Sequence, residues 1–104
     1  MTRLTLAALI LSAAPLAAQP VGDPERGRQM AEEVCAECHA VRADEQVMKD
    51  YPPSFWAIAR YRDDVQVRAR IWAPPAHAQM PYFAEILFPN QVEDLVAYIR
   101  GLEE

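Results

Sequence analysis

The chain has 104 residues, a formal charge of −5 with histidine neutral, and two cysteines. That length holds one small domain, and an acidic balance argues against a nucleic-acid partner, which calls for basic patches. No internal repeat or low-complexity tract divides it.

The chain opens MTRLTLAALILSAAPLAAQP. Arg3 forms a positive start, 4–14 an apolar run and 15–18 a small-residue stretch, which is the build of a secretory signal peptide. The run falls short of the roughly 20 apolar residues of a membrane span. The expectation is therefore a leader over 1–18, cleaved near Ala18, and a folded domain over 19–104. A buried N-terminal helix and an uncleaved anchor are the competing readings. Export places the cysteines in an oxidising compartment. It also removes Arg3, which makes the mature chain one unit more acidic.

Past the leader the apolar pattern is helical throughout, so the fold class is all-α. Asp23 is a good N-cap with Pro24 at the first helical position. Gly27, Met30, Ala31, Val34 and Cys38 then share one face at helical spacing, with Cys35 beside that stripe. Residues 42–53 are polar and read as loop. Ser54 caps a short helix over 54–61, buried through Phe55, Ile58 and Ala59. Another helix starts at Asp63, where Gln66 completes a capping-box pattern. It carries Val67, Ile71 and Trp72 inward and stops before Pro74 and Pro75. The stretch PPAHAQMPYF is too proline-rich to be regular. Asn90 is expected to cap the last helix, whose Val92, Leu95, Val96, Ile99 and Leu102 form the most regular amphipathic stripe in the chain.

Residues 35–39 read CAECH: both cysteines, set two apart, with one of the two histidines directly behind. Four chemistries compete for them. A structural disulfide is the default for an exported cysteine pair, yet it leaves His39 unexplained. Thioredoxin-like redox chemistry belongs near a βαβ pattern, which this chain lacks. Zinc would need Cys35, Cys38 and both histidines, and His39 adjoins Cys38 on a helix, where neighbours point in different directions. Covalent haem attachment has this spacing as its signature. Two thiols separated by two residues reach two vinyl groups along one porphyrin edge, and the imidazole that follows meets the iron. Export and an all-helical chain favour haem, with the disulfide next.

An iron held by His39 would take a sixth ligand from Met30, Met48, Met80 or His77, or stay open. Met30 falls on the apolar stripe of the first helix. Met48 follows a polar loop close to the motif. Met80 lies before Pro81 in the irregular stretch, where the backbone can present a side chain free of helical constraint. A thioether there favours ferrous iron and raises the potential. His77 is the rival, although a lone loop histidine is usually just solvated.

Together these stretches resemble the bacterial class I c-type cytochromes, small monohaem proteins, over essentially all of 19–104. GDPERGRQMAEEVCAECH resembles their first helix, PPSFWAIA their proline-then-short-helix segment, AQMPYF their methionine-ligand loop and EDLVAYIRGL their closing helix. The resemblance implies a small cytochrome c-type fold whose first and last helices cross around one covalently bound haem c, with Gly27 allowing close approach near Tyr98. Relatives often place an aromatic where Ala31 stands, so that crossing is expected to pack differently here. The resemblance further implies cofactor binding by Cys35, Cys38, His39 and Met80, with His39 and Met80 as the iron ligands. A carbonyl of Pro52 or Pro53 would accept a hydrogen bond from His39 and fix its ring. Phe55, Ile58, Trp72, Phe83, Leu95 and Ile99 would wall the haem, and Trp72 and Arg60 are candidates for its propionates.

The function so implied is a periplasmic single-electron carrier between redox proteins, not an enzyme. The alternatives are a haem enzyme or gas sensor with an open or labile sixth position, for which His77 is the only hint, and a cytochrome subunit of a periplasmic dehydrogenase. Glu32, Glu33, Glu37, Asp44 and Glu45 flank the motif. They suggest docking onto a basic surface of the partner, against the plainer reading of a solvated face.

Overall fold

The computed structural model describes residues 9–14, 21–48 and 51–103. Residues 9–14 are exposed and irregular, while the cleavage expected near Ala18 lies outside the described residues. Four α-helices follow, with no strand among the described residues: α1 (Pro24–Met30), α2 (Phe55–Tyr61), α3 (Asp64–Trp72) and α4 (Pro89–Gly101). The fold is all-α, as expected.

α1 begins where its caps dictate. The Asp23 carboxylate accepts the N–H groups of Glu25 and Arg26 at 2.9 and 3.0 Å, and Pro24 fills the first helical position. At Ala31 the helix widens into a single π turn, Ala31–Cys35, closed by the Ala36 N–H on the Ala31 carbonyl at 2.9 Å. One extra residue in a turn rotates everything behind it, and this corrects the expected apolar stripe. Gly27 and Ala31 are buried and Met30 half-buried, but Val34 and Cys38 are exposed, while Cys35 turns partly inward.

Ser54 caps α2 through its hydroxyl, which accepts the Ala57 N–H at 3.1 Å. α3 opens with the reciprocal box of Asp63 and Gln66 and ends two residues before Pro74. α4 starts two residues earlier than an Asn90 cap would place it, and Asn90 does not cap it. Phe88 is the N-cap and Pro89 the first helical residue, a position that suits the fixed φ of proline. A phenyl ring accepts no hydrogen bond, so the cap is one-sided: Gln91 Oε1 accepts the Phe88 N–H at 2.8 Å.

The expected stripe of α4, Val92, Leu95, Val96, Ile99 and Leu102, is buried in full, joined by Tyr98. It packs onto Ala31, Phe55 and Ala59, and Val67 and Ile71. A Cβ at Gly27 would overlap the Asp94 carbonyl and stand 2.8 Å from Tyr98 Cβ, so the close approach of α1 to α4 requires glycine there. Two polar clamps hold the ends of the packing. Asp94, 2% exposed, accepts the Asp23 N–H at 2.7 Å and Arg26 Nε at 3.1 Å. Arg100 donates to the Asp64 carboxylate and to the carbonyls of Ala59 and Arg62, each at 2.8 Å.

The Tyr98 hydroxyl donates to the Val41 carbonyl at 2.5 Å, which ties α4 to the chain just past His39. Burial, with the Glu32 carboxylate second, holds its phenol above the ordinary value. The folded protein thus keeps this proton at a pH where the unfolded chain has lost it. The resulting stability is whole below about pH 10 and drains as pH rises through the folded value. Tyr98→Phe is expected to lower stability by about 1 kcal/mol at neutral pH. It should also flatten the alkaline loss, measured by denaturant unfolding from about pH 8 to 11; a slope equal to the wild type would remove Tyr98 from that account.

Candidate haem site

The π turn ends at Cys35, and residues 36–38 form a turn. The N–H groups of Cys38 and His39 both return to the Cys35 carbonyl, at 3.2 and 2.9 Å. His39 therefore stands beyond the helix, which corrects the expectation that it shares one with Cys38. Both thiols are free. Cys38 is exposed, and burial pushes the Cys35 thiol up to about 11. Among the described residues no three His, Cys, Asp or Glu side chains converge as a metal cluster would require, so the zinc reading gains no support.

His39 Nδ1 lies 2.6 Å from the Pro53 carbonyl oxygen. A carbonyl only accepts, so Nδ1 carries the hydrogen and Nε2 keeps its lone pair. Of the two prolines considered, Pro53 makes the contact. A ring held this way by one nitrogen offers the other to a metal in a fixed orientation. The His39 ring also rests against Phe55, with centroids 5.4 Å apart, and Phe55 against Tyr98 at 6.4 Å. The loop that brings Pro53 here is anchored twice. The Phe55 N–H donates to the Ala40 carbonyl at 2.9 Å, and the Ser54 hydroxyl donates to the Val47 carbonyl at 2.6 Å.

The sixth-ligand candidates separate by burial. Met80 is half-buried and packs on the core, while His77 and Met48 are exposed. Met30 packs on the same core from α1, in keeping with its place on the stripe. Of the expected haem walls, Phe55, Phe83, Leu95 and Ile99 are buried, and Ile58 and Trp72 are half-buried against them. The Arg60 guanidinium lies over the Trp56 ring, 5.0 Å from its centroid.

The cytochrome c family model matches residues 24–103, from the first turn of α1 to beyond the end of α4. The chain belongs to the cytochrome c family. It is 30% identical over 84 residues to a cytochrome c-553-like protein of Synechocystis sp., an alignment covering 78% of this chain and 70% of that one. No solved structure matches it. A cytochrome c carries covalently bound haem c, and the protein is a haem electron carrier. The donor set fits that group: paired thiols, an imidazole with Nε2 free, and a thioether in a proline-bounded loop. Half-buried Ile58, Trp72 and Leu87 on the same core offer apolar surface for a flat ring to cover.

Sequence reasoning picked out the CxxCH residues and a Pro52 or Pro53 carbonyl as the brace on His39, and missed what anchors the loop that carries it. Ser54 is legible as a cap, but its second bond, to Val47, has no sequence signal. Ser54→Ala leaves the Ala57 N–H and the Val47 carbonyl without this partner. It is expected to cost about 1–2 kcal/mol and to shift the His39 Nδ1–H resonance in NMR spectra. Unchanged stability and resonance would show that this brace does not reach the imidazole.

Proposed function

We propose that this cytochrome c is exported to the periplasm behind a 1–18 leader and carries single electrons between protein partners, its 19–104 domain holding haem c through Cys35 and Cys38 and ligating it with His39 and Met80. The observation that carries this reading is the His39 tautomer. With Nδ1 spent on Pro53, the free Nε2 sits on the residue directly behind the paired thiols. The exposed, irregular 9–14 segment supports a leader over a buried N-terminal helix.

Bound haem supplies one-electron redox chemistry at its iron. The chain does the rest. Cys35 and Cys38, whose thiols are free, would hold the haem through thioether bonds to its vinyl groups. The Pro53 carbonyl orients the imidazole and fixes its tautomer, with Nε2 left free. The Met80 thioether is a soft donor that favours the reduced state, and buried Phe55, Phe83, Leu95 and Ile99 keep water away. His77 is exposed in the same loop, which lends no support to an open distal site.

An absorption spectrum tests the ligation. The oxidised protein is expected to be low-spin with the weak long-wavelength band of methionine–iron bonding, and the reduced protein to ignore carbon monoxide. Met80→Ala should abolish the band, admit carbon monoxide and lower the potential, while His77→Ala should do none of these. Cys35→Ala or Cys38→Ala should make the haem partly extractable by acidified solvent. A wild-type protein that binds carbon monoxide at once would instead favour the sensor or enzyme reading.

The charge around the motif is unevenly spent. Glu32 pairs with Arg28 at 2.8 Å and Asp44 with Arg42 at 3.1 Å. Glu33 and Glu37 are exposed, four apart, and carry no ion pair among the described residues. They are the carboxylates available to a basic docking surface. Reduction by the native partner is expected to slow several-fold between low and physiological salt, where the Debye length is about 8 Å. Glu33→Lys or Glu37→Lys should slow it at low salt without changing the spectrum. A rate flat with salt would move docking to the exposed apolar side chains Tyr82, Ile86 and Phe88.

A further inference from the structure

Residues 51–54 reach both sides of the proposed ligation. Pro53 holds His39 through its carbonyl. Two residues earlier, the Tyr51 hydroxyl oxygen accepts the backbone N–H of Gln79 at 3.1 Å, and Gln79 directly precedes Met80. Little else fixes that stretch. Residues 79–82 have no regular structure, Pro81 has no N–H to donate, and the backbone bonds lie at the edges of the stretch, from the Ala78 N–H to the Pro75 carbonyl at 2.9 Å and from the Glu85 N–H to the Tyr82 carbonyl at 3.2 Å. The Tyr51 side belongs to a residue 63% exposed, so burial does not account for where its hydroxyl lies.

We propose that Tyr51 is a positioning residue for Met80: its hydroxyl pins the loop at Gln79 and keeps the thioether at the iron. The inference rests on the ligation proposed above. Its chemical content is a difference between two states of the loop. With Met80 on the iron, the Gln79 N–H stays on Tyr51; for Met80 to leave, the loop must swing and give up that bond. The hydroxyl therefore weights the ligand-on state, while the ring, already largely in water, contributes little. Because Tyr51 and Pro53 belong to one short segment, the chain that orients the proximal imidazole also registers the distal donor.

The test uses the holoprotein as wild type, Tyr51→Phe and Met80→Ala. Ferric protein is titrated with imidazole, which competes for the distal position, and the methionine–iron band is followed; reduced protein is mixed with carbon monoxide. Tyr51→Phe is expected to keep the band at rest, yet to lose it at about fivefold lower imidazole concentration, the size of one net hydrogen bond. It should also combine with carbon monoxide faster by a similar factor, with helical content and thermal midpoint close to wild type. A purely structural role would instead lower the midpoint and leave the imidazole titration in place. An independent reading comes from amide exchange in the reduced wild type, where the Gln79 N–H should be protected. A Tyr51→Phe titration that overlays the wild type, or a Gln79 N–H exchanging at the rate of an unstructured peptide, overturns the proposal. Absence of the band in the wild type, with Met80→Ala spectrally silent, would instead overturn the ligation itself.

Discussion

Gly27 carries no side chain, and because of that α1 lies against the backbone of α4 at Asp94 and Tyr98. The position of the haem motif follows from this contact. Tyr98 stands at Gly27 through its Cβ and reaches Val41 through its hydroxyl, so one residue of α4 touches the chain on both sides of CAECH. Between those two points its ring meets Phe55, and Phe55 meets His39. Tilted aromatic rings at such separations are both apolar packing and favourable quadrupole contacts. The imidazole is thus placed by a helix pair through two packed rings, and the Pro53 carbonyl only has to set its rotation.

The polar contacts around this frame are unequal. Pairs such as Arg28 with Glu25 and Glu32 are exposed on both sides, and exposed pairs are worth about 0–1 kcal/mol. Asp94 differs, because its side chain is only 3% exposed. Removing Arg26 would leave a buried carboxylate with less compensation, although the Asp23 N–H still serves it and the arginine itself is largely in solvent. Arg100 works by satisfying carbonyls. The last carbonyls of a helix lack intrahelical partners, and Arg100 reaches those of Ala59 and Arg62 at the end of α2. It thereby joins α4 to the junction of α2 and α3, on elements that carry the residues proposed to wall the haem.

What was legible in the sequence is what short-range chemistry decides. The caps at Asp23, Ser54 and Asp63 act within three residues, and the α4 stripe repeats often enough to be unambiguous. The CxxCH spacing is itself the signal. The π turn was not legible, since AEEVC has nothing to set it apart from an ordinary helix, and a reading at 3.6 residues per turn sends Val34 and Cys38 to the wrong face. At the start of α4 two local signals lie one residue apart; proline at the first helical position, with Gln91 reaching back to Phe88, prevails over an asparagine cap. Pro52 and Pro53 are chemically equivalent in sequence. Tertiary anchoring through the Ala40 and Val47 carbonyls accompanies the choice of the second. The bond from Gln79 to Tyr51 joins residues 28 apart, and a single side-chain-to-backbone contact at that range leaves no periodic trace.

The two proposed iron ligands are therefore held with different stiffness. His39 follows a hydrogen-bonded turn, leans on a buried phenylalanine and is fixed by a carbonyl from a doubly anchored loop. Met80 hangs in a stretch bounded by Pro75 and Pro81, with Phe83 buried on one side and the Tyr51–Gln79 bond on the other. Local opening is least costly where backbone hydrogen bonds are few and apolar contacts sparse. Any change of coordination should begin on the methionine side and leave the imidazole in place. A carrier of single electrons gains from rigidity on both sides, because little then has to move when the charge changes. On the methionine side that rigidity rests on few contacts, so each one there weighs more than its equivalent near His39.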